Sequence, residues 1–246
     1  MSNLKVIISG GGTGGHIFPA IAIAKAIENK VQNVEILFVG AEDRMEMEKV
    51  PAAGYKIIGL WISGLQRKLD KRNLLFPFKV IHSIFKAKNI VKEFKPDLAI
   101  GTGGYASAPL LYAAAKKGIP TVIQEQNSYP GITNRILAKH VQKICVAYDE
   151  MERFFPTEKL IITGNPIREG ILDFNNKVTD GQVKFNIDKT KPTVLVVGGS
   201  LGALTINNAI AENINQIKNM DVNLIWQTGI SYQDKAQNFI TDVNTK

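Results

Sequence analysis

Three glycine-rich loops constrain most strongly what this chain can fold into. They occupy residues 10–16, 101–105 and 198–203, and each follows a short apolar run and precedes a helical pattern. We refer to them as the first, second and third glycine loops. Glycine lets backbone N–H groups approach a phosphate closely, and the helix that follows adds the positive end of its dipole. One such loop is weak evidence, but three predict two nucleotide-type halves that face a diphosphate.

Apolar runs that predict β-strands alternate with helical patterns along the chain. Because these runs are apolar throughout, we expect a parallel sheet covered by helices on both faces, and therefore an α/β fold class. A doubly wound first domain is predicted over residues 1–163 and a second domain over residues 164–246. The second domain is predicted to be incomplete, because only two strands are expected in it, at 193–197 and 223–227. Strands of the first domain are predicted at residues 5–8, 34–39, 56–60, 97–100, 121–123, 143–146 and 160–162.

The composition argues against several classes of protein. The 246 residues are 45% hydrophobic, yet the sequence has neither an apolar run of about 18 residues nor a signal segment. We therefore expect a cytoplasmic location. The single cysteine, Cys145, is expected to pack within a strand. The sequence has three histidines and no Asp-x-Asp pair. It therefore offers no pattern for a structural zinc site or for a metal on a nucleotide diphosphate, and no metal or cofactor is predicted.

The net charge of +8 lies in the first domain, because residues 164–246 carry 8 Lys and Arg against 8 Asp and Glu. Most of the excess falls in residues 66–95, where cations and apolar side chains are interleaved. This mixture suits an anionic bilayer surface, where each nearby cation is worth about 1 kcal/mol. The alternative is an ordinary amphipathic helix from Val80 onward. Nucleic acid is not favoured, because the aromatic residues are clustered rather than spaced as stacking platforms. The residues predicted to contact the membrane are Leu74, Leu75, Phe76, Phe78, Lys71 and Arg72.

The first glycine loop has two interpretations. Gly10, Gly12 and Gly15 have the spacing of a dinucleotide site, which is typical of an NAD-dependent oxidoreductase. That site needs an acidic residue at the end of the second strand, where this chain has Ala41. The loop also leads into His16 at the start of a predicted helix, where the helix dipole favours a neutral imidazole. We interpret His16 as a functional side chain that can take or hold a proton.

A succession of five motifs resembles the signatures of a known family. This is the MurG family of bacterial UDP-N-acetylglucosamine–N-acetylmuramyl-(pentapeptide) pyrophosphoryl-undecaprenol N-acetylglucosamine transferases. The resemblance implies a GT-B fold, in which two Rossmann-like domains face a cleft, with the second domain incomplete in this chain. The motifs extend over nearly the whole chain and comprise residues 11–19, 103–109, 125–127 with 131–134, 164–168 and 198–203.

The resemblance also implies an activity and its partners. It implies an inverting, metal-independent transfer of GlcNAc from UDP-GlcNAc to the C4 hydroxyl of the muramyl sugar on lipid I. The product would be lipid II, the precursor of peptidoglycan, which connects the activity to cell shape and cell division. The implied partners are UDP-GlcNAc, lipid I, the anionic inner-membrane surface on its cytoplasmic face, and other proteins of cell-wall synthesis.

Site residues are implied by the same motifs, residue by residue. His16 is the first candidate for the catalytic base and Glu125 the second, with the alternative that Glu125 is a hydrogen-bonding partner of the first glycine loop. Arg168 is a candidate cation beside the nucleotide or sugar, with a structural hinge as the alternative. The donor-side residues are Thr13, Gly14, Gly15, Asn127, Arg168 and Ser200, and the acceptor-side residues are His16, Gly103, Gly104, Tyr105 and Asn127.

The chain departs from the family at its end. Nothing after Lys246 supplies the rest of the donor domain, which in this family contacts the uracil and the sugar. We therefore expect little or no transfer by the chain as given. Two alternatives stay open. One is a non-catalytic protein of the membrane surface that keeps the acceptor-binding half, and the other is a GT-B enzyme that uses another nucleotide sugar.

Overall fold

The structure is a computed structural model in which the chain divides into two compact units. The first unit is Met1–Leu172 and the second is Asp173–Lys246. Both units combine helices with parallel strands, so the predicted α/β fold class is confirmed. The predicted domain boundary after residue 163 stays a prediction. The residues that the structure describes are 3–64, 74–168, 181–199 and 201–239.

A seven-stranded sheet forms the centre of the first unit. Its strands are β1 (Leu4–Gly10), β2 (Val34–Ala41), β3 (Lys56–Leu60), β4 (Leu98–Gly103), β5 (Thr121–Glu125), β6 (Lys143–Val146) and β7 (Leu160–Ile162). Neighbouring strands all run parallel, in the order β3-β2-β1-β4-β5-β6-β7. The seven strands predicted for this part of the chain are therefore confirmed, with ends that differ by up to three residues.

Helices cover both faces of this sheet, as the uniformly apolar strands predict. Successive residues of β1 point to opposite faces, and they accordingly join two separate cores. Val6 and Ile8 pack with Ile17 of the first helix, whereas Ile7 packs with Leu110 of the fourth. The helices are α1 (Gly14–Lys30), α2 (Glu46–Ala52), α3 (Phe76–Phe94), α4 (Ser107–Lys116) and α5 (Ile132–Leu137).

The helix α3 is divided between core and solvent. Ala87, Ile90 and Val91 in its second half are buried in the core, as the amphipathic alternative predicts. Pro77 lies in the first turn, where a proline needs no N–H partner, so it begins the helix instead of breaking it. A row of apolar side chains near the start of the helix is exposed, and we call it the apolar α3 face. It consists of Leu74, Leu75, Phe78, Ile81 and Phe85.

Cys145 lies in β6 and is half-buried. Burial raises the pKa of its thiol, and a hydrogen bond with the Thr163 side chain acts in the opposite direction. A thiol with a raised pKa is mostly protonated at neutral pH and reacts slowly. This environment agrees with the packing role expected for Cys145.

The second unit contains a two-stranded parallel sheet of β8 (Thr193–Val197) and β9 (Asn223–Gln227), both as predicted. A buried asparagine, Asn207, ties the helix between them to the end of β9. Its amide donates to the Thr228 carbonyl at 2.8 Å and accepts from the Trp226 indole at 3.1 Å. The helices of this unit are α6 (Leu204–Glu212), α7 (Ile214–Lys218) and α8 (Gln233–Gln237).

Candidate active site

The candidate site lies at the carboxyl end of the sheet in the first unit. The order of the strands reverses between β1 and β4, because β2 and β3 lie on one side of this pair and β5 to β7 on the other. Loops that leave two such strands turn to opposite faces and open a crevice, which is the usual ligand site of open α/β sheets. The first glycine loop follows β1 and the second follows β4. Both predicted loops therefore meet at this crevice.

The two loops approach each other too closely for side chains. The Gly11 N–H donates to the Gly103 carbonyl at 3.3 Å. A Cβ on Gly104 would collide with the Gly11 backbone, and a Cβ on Gly103 would press against the His16 ring. Gly103 and Gly104 also have φ angles of 102° and 90°, which other residues rarely adopt. Glycine is thus required in the second loop for both space and backbone conformation.

A cleft of about 420 Å³ opens between these loops. The half-exposed ring of Tyr105 packs on Gly64 at its edge. Arg44, which follows β2, also lines the cleft, although nothing in its sequence context singled it out. Gly14, Gly15 and Asn127 are not among the lining residues. Of the predicted site residues, Thr13, His16, Gly103, Gly104, Tyr105 and Glu125 line the cleft.

His16 lies in the first turn of α1, and its hydrogen bonds define which ring nitrogen is free. Its Nδ1 lies 3.0 Å from the Gly11 carbonyl oxygen, which can only accept. Nδ1 therefore carries the proton, and the neutral ring has its lone pair on Nε2. The Thr102 hydroxyl donates to the His16 backbone carbonyl at 2.7 Å and fixes the turn. The arrangement leaves Nε2 as the atom that can take a proton.

Glu46, in the first turn of α2, is a buried residue of the site that the sequence analysis missed. Its side chain is 0% exposed. One carboxylate oxygen accepts the Gly12 N–H at 2.9 Å, and the other accepts the Ala41 N–H at 3.0 Å. No local pattern in the sequence signals this contact, because it joins residues 34 positions apart through the packing of α2 beside β2. Glu46, rather than Glu125, is the carboxylate partner of that loop.

Glu125 ends β5, and its carboxylate organises the loop that follows. The side chain is 1% exposed. One oxygen accepts the backbone and side-chain N–H groups of Asn127, at 3.1 and 2.9 Å. The other accepts the Gly131 N–H at 3.0 Å and the Asn134 amide at 2.9 Å. With four donors around it, the carboxylate holds residues 126–134 in place, while its role as a base stays a prediction.

Arg168, assigned to the donor side by resemblance, lies over α1. Its guanidinium is 4.4 Å from the centre of the Phe18 ring, a cation–π contact. The same ring lies close to Gly14, where an added Cβ would approach it to 3.1 Å. This contact ties the segment after β7 to the start of α1. Arg168 therefore has a structural contact with Phe18. The role of Arg168 beside a nucleotide stays a prediction.

The third glycine loop, in the second unit, has the expected form. It joins β8 to the nine-residue helix α6, and Gly199 and Gly202 have φ angles of 79° and 78°. The Gly198 N–H donates to the Gln227 side chain at 3.2 Å. Three predicted site residues, Ser200, Lys71 and Arg72, lie outside the described residues.

Within the described ranges, no group of three or more His, Cys, Asp or Glu side chains is arranged to hold a metal ion. None of the helices in this part of the chain is long and apolar enough to cross a membrane. The metal-independent reaction stays a prediction.

Comparison with known proteins finds two domains of one family in the chain. The glycosyltransferase family 28 N-terminal domain matches residues 6–146, and the family 28 C-terminal domain matches residues 193–246. A relative in Cytophaga hutchinsonii is 56% identical over 98% of this chain and 68% of its own length. One in Christiangramia forsetii is 55% identical over 96% of this chain and 64% of its own length. Both are named UDP-N-acetylglucosamine–N-acetylmuramyl-(pentapeptide) pyrophosphoryl-undecaprenol N-acetylglucosamine transferase. The chain thus spans about two thirds of the length of these relatives.

Solved structures give the same result for the fold. MurG of Acinetobacter baumannii is 28% identical, with a TM-score of 0.69 over 99% of this chain and 66% of that protein. A UDP-GlcNAc 2-epimerase from Neisseria meningitidis, bound to UDP-GlcNAc, is 15% identical, with a TM-score of 0.65 over 98% of this chain and 70% of that protein. The second likeness concerns the fold alone. Together they confirm the predicted α/β architecture of GT-B type.

Proposed function

The chain belongs to glycosyltransferase family 28, and we propose that it transfers GlcNAc from UDP-GlcNAc to the C4 hydroxyl of the muramyl sugar on lipid I. The product is lipid II, a precursor for peptidoglycan synthesis. The observation that carries this proposal is His16, whose Nδ1–H is bound to the Gly11 carbonyl in a cleft between two glycine loops. The names of the relatives that are 55% and 56% identical support the choice of substrates.

In the proposed reaction, His16 Nε2 takes the proton of the acceptor hydroxyl. The hydroxyl oxygen forms a bond to C1 of GlcNAc, and the bond from C1 to the UDP diphosphate oxygen breaks. The electron pair of that bond leaves with UDP, and attack from the opposite face inverts C1. The proton stays on His16, where the Nδ1–H bond to Gly11 stabilises the imidazolium. General base catalysis of this kind contributes about 10²–10⁴-fold to a rate.

The diphosphate of the acceptor is proposed to bind at the start of α1, at Thr13, Gly14 and Gly15, although the resemblance assigned these residues to the donor side. The N–H groups of Gly14 and Gly15 have no hydrogen-bond acceptor among the residues that the structure describes. Such N–H groups and the helix dipole favour an anion at a helix N-terminus. The Thr13 hydroxyl is exposed beside them, with its oxygen 3.4 Å from His16 Nδ1, and is proposed as a further donor.

The diphosphate of UDP is proposed to bind at the third glycine loop, in the second unit. The loop leads into α6, so the helix dipole can stabilise the negative charge of the leaving group. Loop N–H groups other than those of Gly198 and Gly202, which donate to Gln227 and Gly199, can contribute as well. Stabilisation by N–H groups is the basis for proposing a metal-independent transfer.

The transfer of radiolabelled GlcNAc from UDP-GlcNAc to a short-chain lipid I analogue tests the proposed function. Because the chain spans about two thirds of its relatives, we would assay it alone and as a chimera completed with the C-terminal residues of the Cytophaga hutchinsonii relative. We expect transfer by the chimera and little or none by the chain alone. UDP-glucose serves as the control donor. A folded chimera that transfers glucose in preference to GlcNAc, or neither sugar, would contradict the proposal.

We also propose that the protein binds the cytoplasmic surface of the inner membrane through the apolar α3 face. Leu74 is 74% exposed and Phe78 is 65% exposed, although both are strongly apolar. Exposed apolar side chains in a row mark surfaces that contact a partner or a membrane. Lysines lie on the same helix, and the Lys88 ammonium is 5.5 Å from the centre of the Phe85 ring. An apolar surface with adjoining cations fits anionic lipids.

The double substitution Leu74→Ser and Phe78→Ser is expected to weaken binding to phosphatidylglycerol vesicles at least tenfold. Each side chain that leaves the lipid loses about 1.5–3 kcal/mol of apolar burial, and about 1.4 kcal/mol corresponds to a tenfold change. Co-sedimentation measures the binding. Ile230→Ser, at a 90% exposed apolar residue of the second unit, is the matched control. Equal binding by both variants would exclude the apolar α3 face as the contact.

A further inference from the structure

We propose that Glu46 is a positioning residue that sets the tautomer of His16 through the Gly11–Gly12 peptide group. The inference rests on the proposed function, in which Nε2 of His16 is the base. Glu46 is remote in sequence from the glycine loop, and it acts on His16 through the backbone rather than by touching a substrate.

One peptide group connects the two side chains. Its carbonyl, that of Gly11, accepts the His16 Nδ1–H at 3.0 Å. Its N–H, that of Gly12, donates to a Glu46 carboxylate oxygen at 2.9 Å. Because the carbonyl and the N–H of one peptide group point in opposite directions, the orientation of a single plane determines both hydrogen bonds.

The Gly11–Gly12 peptide plane can flip, because the residues on both sides of it are glycines. It lies between two glycines, and Gly12 has a φ angle of 84° and open space where a Cβ would be. Glycine allows both orientations at little steric cost. In the flipped orientation the Gly12 N–H would face His16, and Nδ1 would have to accept. The ring proton would then lie on Nε2, and the lone pair needed for proton transfer would be lost.

A carboxylate is required because two N–H groups need acceptors at the same place. One Glu46 oxygen accepts the Ala41 N–H at 3.0 Å while the other accepts the Gly12 N–H. The side chain is 0% exposed, so an unpaired N–H there would be costly. A glutamine has one acceptor and one donor, and its NH2 would face an N–H. The easiest relief is to turn the peptide between the two glycines.

The backbone N–H groups are the partners that keep this carboxylate in place. No ion pair of Glu46 is present among the described residues. A Cβ on Gly11 would collide with the carboxylate, so Glu46 lies directly against the loop. Its negative charge at the N–H end also polarises the peptide group and strengthens the Gly11 carbonyl as an acceptor. The contact therefore favours both Nδ1–H in the neutral ring and the imidazolium formed in the reaction.

Imidazole ¹⁵N chemical shifts test this assignment without any need for activity. The chain has three histidines, so the His16 signals are identified by their loss in His16→Gln. At about pH 9, above the ordinary titration range of histidine, we expect the Nδ1–H tautomer in the unaltered chain. We expect Glu46→Gln to shift His16 to mostly Nε2–H. Glu42→Gln, the same change at a half-exposed residue paired with Lys86 at 2.9 Å, should leave the tautomer unchanged.

Two results would overturn the proposal. One is an Nε2–H tautomer of His16 in the unaltered chain, and the other is an unchanged Nδ1–H tautomer in a folded Glu46→Gln variant. If that variant does not fold, Glu46→Ala replaces it, because removal of the carboxylate leaves the Gly12 N–H without its acceptor and should cause the same shift. If only the proposed function is wrong, the chimera will not transfer GlcNAc, but the ¹⁵N shifts of His16 will still show the expected tautomers.

Discussion

His16→Gln is expected to lower kcat for GlcNAc transfer by about 10²–10⁴-fold, the usual contribution of a general base. Glutamine can still donate to the Gly11 carbonyl, which His16 Nδ1 contacts at 3.0 Å. It has no nitrogen that takes a proton at neutral pH, so proton transfer from the acceptor hydroxyl is lost. The value of KM should change little, because the N–H groups proposed to bind diphosphate remain. Steady-state kinetics of the chimera would measure both parameters.

His140→Gln provides the matched control for this substitution. His140 lies against Tyr112 at a ring distance of 5.5 Å, and it is not among the residues that line the cleft. We expect the kcat of the His140→Gln chimera to equal that of the unaltered chimera. A His16→Gln variant that loses less than tenfold in kcat, or whose defect lies only in KM, would show that His16 is not the base.

Glu125→Gln is expected to lower the free energy of unfolding of the first unit by about 3 kcal/mol. The carboxylate accepts four hydrogen bonds, including two from the side chains of Asn127 and Asn134. An amide NH2 in place of one oxygen leaves two donors without an acceptor in a buried place, and each hydrogen bond to a charged group is worth about 1.5–3 kcal/mol. Urea unfolding followed by Trp61 fluorescence, in a Trp226→Phe background, reports on the first unit.

Glu152→Gln is the control, because this exposed carboxylate is also in the first unit. Its stability should stay within about 0.5 kcal/mol of the unaltered chain. The measurement also separates the two interpretations of Glu125. Unchanged stability together with a large loss of kcat in the Glu125→Gln chimera would identify Glu125 as the base and contradict its role in holding residues 126–134.

The strands and glycine loops could be predicted because their signals are local. Apolar runs such as residues 34–39 and 143–146 can be buried only as strands covered on both faces, and the structure has them there. The meeting of the first and second loops also follows from local order, because β1 and β4 become neighbours in a doubly wound sheet.

The hydrogen bonds that define the site could not be predicted in this way. The pairing of Glu46 with the Gly12 N–H depends on how α2 packs beside β2, which no spacing in the sequence encodes. The same holds for Glu125, whose partners belong to its own loop instead of the first glycine loop.

The linkage of the disaccharide made by the chimera tests the central claim most directly. If a base in the cleft of the first unit activates the C4 hydroxyl for direct displacement, the α-linked donor must give a β-linked product. Proton NMR of the isolated product resolves the anomeric configuration and the acceptor carbon. The account predicts GlcNAc in β linkage to C4 of the muramyl sugar. An α-linked product, a linkage to another carbon, or release of free GlcNAc without transfer would contradict it.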